Sequence, residues 1–234
     1  SLGLNSQDTI DFMDAVSMRE YLRNLFPHGT STRNFMRTNL LEMIDAAEQG
    51  ERFLCGNISK MLVQMIQAGG TQARTVALES LNDGGHIVVE MWSNQLDKWV
   101  LIDPDYNVHY TNASGTPLSA IELYTMAQNS HDLKKISRIT GKSLNTLHNN
   151  ETKLVEQFYK NGFSILFYNS WVDKNLPRRN PARSPAIMGA YLGESEINKI
   201  YYKHDGNIKD EEFVAVLYKQ PPGNEQLTSQ STRT

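Results

Sequence analysis

The sequence predicts an α+β protein in which one helix packs on an antiparallel sheet, and three observations carry that prediction. Behind Cys55, apolar residues at Ile58, Met61, Leu62, Met65, Ile66 and Ala68 recur at the spacing of a helix with one buried face, which stops at Gly69-Gly70. After that helix, residues 71–80, 85–92 and 97–103 read as strands, rich in β-branched and aromatic residues. The turn signal Asn82-Asp83-Gly84-Gly85 and the short polar stretch before Asp97 join them into a three-stranded antiparallel meander.

Composition sets the frame for these elements. At 234 residues and 39% apolar content the chain suits one large domain, read as 1–219 with a core at about 31–128, an elaboration at 129–219 and a disordered tail at 220–234. A net charge of −3 and a pI near 6.1 supply no global attraction to nucleic acid or to an anionic membrane. No apolar run approaches the roughly 20 residues that span a bilayer. No signal peptide is read, and the compartment is left open. The single cysteine excludes an internal disulfide. Histidines at 28, 86, 109, 131, 148 and 204 make no HxxxH or HExxH pattern, so no metal and no cofactor is expected.

Taken in order, residues 1–10 read as a polar tail and 10–26 as a helix through Phe12, Val16, Tyr21, Leu22 and Leu25, broken by Pro27-His28-Gly29. A second helix is expected over 31–48, with Phe35, Leu40, Leu41, Ile44 and Ala47 inward and Gly50 beyond its end. Beyond the meander, 104–115 reads as a loop carrying Tyr106, His109 and Tyr110, and Pro117 opens a helix to 128. Residues 130–150, with Lys134, Lys135, Arg138 and Lys142, read as a solvated helix face and loop. A helix at 151–161 and a buried strand at 163–171 follow. The segment 175–193 holds Pro177, Pro181 and Pro185 with Arg178, Arg179 and Arg183, and reads as a long irregular loop. Strands near 200–203 and 212–219 complete the chain, which contains no internal repeat.

The chemistry converges on the meander. Cys55 begins its helix, where unpaired N–H groups and the positive dipole end favour a thiolate. Pairing Trp92 with Asp97 leaves a four-residue connection and sets His86 directly opposite Asp103, with Cβ atoms roughly 4.5 to 5.5 Å apart. In that register Ile87, Val89, Met91, Val100 and Ile102 share the other face, which is wholly apolar. A carboxylate-oriented imidazole facing a thiol at a helix start is the constellation of nucleophilic acyl transfer. Asp105 stands two residues on as a rival acid.

These residues resemble the transglutaminase-like superfamily, whose core carries a helix-start cysteine, a Gly-x-x-Ala-Arg-x-Val segment, a strand histidine and an Asp-Pro. Here those are Cys55, residues 70–76, His86 and Asp103-Pro104, a resemblance covering about 51–106. Where many members carry an aromatic residue after the cysteine, this chain has Gly56. The resemblance implies a papain-like core and a Cys55-His86-Asp103 triad working through a thioester intermediate. An amine would complete transfer and water would complete hydrolysis, as in a thiol protease or amidase. A non-catalytic binding module on the same fold is the alternative of another class. Protein, peptide or small amide and amine substrates are expected partners, with no nucleic acid.

Around the triad, the backbone N–H of Cys55 is the expected oxyanion donor. Trp92 and Trp99, on the face of His86, and Tyr106 and Arg178, in the flanking loops, are candidate substrate-binding residues. Arg74 reads as structural and Glu90 as a solvated strand residue.

Overall fold

The computed structural model describes residues 10–31, 40–80, 84–142, 162–168 and 187–191. In chain order these form α1 (Phe12–Leu25), α2 (Leu40–Glu48), α3 (Cys55–Ala68), β1 (Ala73–Ser80), β2 (Gly84–Ser93), β3 (Lys98–Ile102), β4 (Val108–Thr111), α4 (Ala120–Gln128), α5 (Ser130–Leu133), β5 (Ser137–Thr140), β6 (Gly162–Tyr168) and β7 (Ile187–Tyr191). The architecture is mixed helix and antiparallel sheet. Five strands run in the order β3-β2-β1-β6-β7, and β4 pairs with β5 in a separate ribbon. Among the described residues no helix is long and apolar enough to cross a membrane.

Local chemistry starts and stops the helices. Asp11 caps α1, accepting from Asp14 N–H at 2.8 Å while the Asp14 carboxylate accepts from Asp11 N–H at 3.1 Å. α3 ends where Gly70 turns left-handed at φ 83°, a conformation that costs glycine little.

The sheet buries both faces. One face, through Ala73, Val89, Met91, Val100 and Ile102, meets α1, α2 and α3 at Leu22, Met43, Ile58, Met61 and Leu62. The other, through Val76, Leu78, Val88 and Leu101, meets β4 and α4 at Val108, Tyr110, Leu123 and Ala127. At the start of α3 the helix approaches β2 closely, since Ser59 Oγ donates to the Ile87 carbonyl at 2.8 Å. A Cβ on Gly56 would stand only 3.1 Å from Ile87 Cδ1. A bulky residue after the cysteine would press on β2 here.

Several expectations are corrected. The β2–β3 register pairs Trp92 with Trp99 and Ser93 with Lys98, so the four-residue connection is 94–97 and not 93–96. The hydrophobic pattern cannot detect a slide of two residues, because each side chain keeps its face. The turn decides instead: Asp97 is left-handed at φ 49°, and Leu96 N–H donates to Ser93 Oγ at 3.3 Å. His86 is therefore not directly opposite Asp103. Continuing the ladder puts Asp103 beside Val88, and His86 reaches it diagonally.

The loop expected at 104–115 contains β4, and the polar stretch 130–150 contains α5 and β5. β5 alternates only between exposed and half-buried, so its ladder with β4 leaves no hydrophobic signature. α4 begins at Ala120 and not at Pro117, because Ser119 and Glu122 form a capping box. The long segment 175–193 is not wholly irregular, since past Pro185 the chain can donate every N–H and Ile187–Tyr191 pairs with β6. Glu90 is fully buried, not solvated. The expected residues 32–39 of the second helix, the helix at 151–161, the strands near 200–203 and 212–219 and the tail at 220–234 lie outside the described residues.

Candidate active site

Three elements deliver the three residues. Cys55 is the first residue of α3, half-buried, and the N-cap position, Leu54, offers no side-chain cap to the helix. The first N–H groups of the helix, those of Cys55 and Gly56, have no carbonyl within it to bond. His86 lies near the start of β2 and Asp103 just past β3; both are buried.

His86 Nε2 and Asp103 Oδ2 are 2.7 Å apart. Asp103 Oδ1 accepts from the N–H groups of Asp105 at 3.1 Å and Tyr106 at 3.0 Å, and its backbone exchanges hydrogen bonds with Val108 at 2.8 and 3.0 Å. The carboxylate is thus held through both oxygens. Cys55 Sγ, a His86 ring nitrogen and a carboxylate oxygen of Asp105 lie within 4.8 Å of one another. Burial alone would lower the His86 pKa, but the charge and hydrogen bond of Asp103, followed by those of Cys55, push it up to about 10. The imidazole beside the sulfur is thus held in its protonated form. Tyr106 packs edge-on to the His86 ring, with centroids 4.7 Å apart.

Asp105 has polar partners of its own. Its Oδ1 pairs with His28 Nδ1 at 2.8 Å and lies 3.9 Å from the Arg23 guanidinium. The loop carrying His28 is strapped to the segment before Cys55: Phe53 N–H donates to the Pro27 carbonyl at 3.0 Å and Gly29 N–H to the Phe53 carbonyl at 3.1 Å. One turn earlier on α1, Arg19 donates to His109 Nδ1 at 2.9 Å. Burial and the Arg19 charge push the His109 pKa down to about 4, which keeps that imidazole a neutral acceptor.

Arg19, Arg23, His28 and His109 escaped the sequence reading as parts of this wall. A signal existed, because Arg19 and Arg23 stand four residues apart on a helix whose buried residues are otherwise apolar.

The other candidates separate. Tyr106 is at the site. Trp92 and Trp99 form a buried edge-to-face pair with centroids 5.8 Å apart, and Trp92 is six positions beyond His86, roughly 20 Å along the strand. Beside them the Arg74 guanidinium lies 4.0 Å over the Trp99 ring and pairs with Glu90 Oε2, whose Oε1 accepts from Ala120 N–H at 2.7 Å. Arg178 lies outside the described residues.

No family model matches the chain, and no curated protein matches it. Among solved structures it is similar to a "Putative Cysteine Protease from Cytophaga hutchinsonii", with 10% identity and a TM-score of 0.34 over 77% of this chain and 52% of that one. The chain spans about half the length of that structure.

Proposed function

We propose that this chain is a cysteine-dependent acyl-transfer enzyme with a papain-like, transglutaminase-like core. The observation that carries the reading is the His86–Asp103 hydrogen bond of 2.7 Å at an imidazole that also neighbours the thiol at the start of α3. The Cys55 thiolate attacks an amide or ester carbonyl, and the oxyanion forms beside the free N–H groups of the helix start. Imidazolium His86 passes its Nδ1 proton to the departing amine or alcohol, leaving a thioester on Cys55. The now neutral Nδ1 takes a proton from the incoming amine or water. Collapse of the second tetrahedral intermediate expels the thiolate and regenerates the ion pair. Asp103 holds the tautomer and stabilises the imidazolium throughout.

Intact-mass spectrometry after exposure to peptide amides and activated esters tests this directly. A thioester adduct confined to Cys55 is expected, and hydroxylamine should release it as a hydroxamate. The reading fails if no adduct forms with any donor and His86→Ala leaves the rate of Cys55 alkylation by iodoacetamide unchanged.

A further inference from the structure

Around the Cys55 thiol, the acid that joins it and His86 within 4.8 Å is Asp105, the residue outside the proposed triad. Asp103 grips Nε2 of the ring, whereas Asp105 shares the neighbourhood of the sulfur. Sulfur, imidazole nitrogen and carboxylate oxygen are the three donor types that zinc binds at roughly 2.0 to 2.3 Å, so donors around one tetrahedral ion sit roughly 3 to 4 Å apart. The three donors here, all within 4.8 Å of one another, already stand near that arrangement.

We propose that Cys55, His86 and Asp105 form a three-ligand zinc site with one open coordination position, whose occupation blocks the nucleophile. The surroundings fit such a site. Asp103 would accept from the nitrogen of His86 opposite the metal, the carboxylate–histidine–zinc arrangement that fixes ring orientation and raises ligand basicity. Asp105 is 3% exposed and steadied at Oδ1 by His28 and Arg23. The donors come from the start of α3, the start of β2 and the turn after β3, so the set exists only in the folded chain. Zinc uptake requires no acyl chemistry and is testable apart from it.

The full chain is titrated with zinc sulfate against a chromogenic chelator, and Cys55 alkylation by iodoacetamide is followed by intact mass with and without the metal. One ion per chain is expected, lost in Cys55→Ser and weakened at least about tenfold in Asp105→Asn and in the positioning variant Asp103→Asn. Zinc-saturated wild type should alkylate at least about tenfold more slowly. Equal affinity in folded Asp105→Asn, or unchanged alkylation in zinc-saturated protein, overturns the three-ligand site. Should Asp105→Asn fail to fold, cobalt substitution of the wild type decides the question. A thiolate charge-transfer band with tetrahedral ligand-field absorption supports the site, and its absence overturns it.

Discussion

Asp103 carries a different load on each oxygen: one holds the imidazole, the other closes the turn by accepting two backbone N–H groups. Asp103→Asn preserves an acceptor for the turn but presents the ring with an amide and so favours the wrong tautomer. Turnover should fall on the order of 10,000-fold with little change in melting temperature. Asp105→Asn should cost far less turnover, and the reverse ranking in steady-state assays would move the orienting acid to Asp105. A pH dependence belongs to the same pair. Because the His86 pKa rises from 6.5 unfolded to about 10 folded, its stabilising contribution is whole below 6.5 and is lost as pH rises through about 10. Melting temperatures of wild type and His86→Gln should therefore converge over that window. Curves that stay parallel would show that the imidazolium is not stabilised in the fold.

At the scale of the element, the seating of α3 on β2 sets the reach of the thiol. Gly56 and Ser59 are one turn apart on the face that meets Ile87, and both permit close approach. Gly56→Trp should lift the first turn of α3 and lower both alkylation and turnover, while far-ultraviolet circular dichroism stays close to wild type. Ser59→Ala removes one buried hydrogen bond and should cost about 1 kcal/mol in denaturant unfolding. The Arg74–Glu90 pair acts at the other end of β2, bonding β1 to β2 and accepting the first N–H of α4. Arg74→Met would leave Glu90 buried and uncompensated, at a cost of about 3–5 kcal/mol. A smaller loss in Arg74→Met/Glu90→Gln would identify stranded charge as the cause.

Across the whole molecule, the candidate site sits at the start of β2, and α1 clasps its outer wall. Three residues of α1 make that clasp: Arg19 with His109, Arg23 with Asp105, and Glu20, which accepts from Asn107 Nδ2 at 2.8 Å and from Lys142 N–H at 3.1 Å. Protonating His109 would place two cations together. Its pKa falls from 6.5 unfolded to about 4 folded, so its stabilising contribution is present above 6.5 and lost as pH falls through about 4. His109→Gln keeps an acceptor for Arg19 and should flatten the acid limb of the stability curve relative to wild type. An identical acid limb in the two proteins would assign the loss to other groups.

Whatever depends on local periodicity can be read from the residues alone. The helix behind Cys55, the alternation of the meander and the shared face of His86 and Asp103 were legible because a helix repeats at 3.6 residues and a strand at 2. Tertiary structure alone decided the rest. A two-residue slide of β3 leaves every side chain on its face, so only the turn at Asp97 could choose the register. β5 and β7 owe their ladders to partners distant in the chain and not to their own patterns. The candidate site's outer wall and the thiol–imidazole–Asp105 cluster join α1, the loop at His28, α3, β2 and the turn after β3. Spacing rules see only ligands carried on one segment, whereas burial of two apolar faces is what brings these five segments to one point.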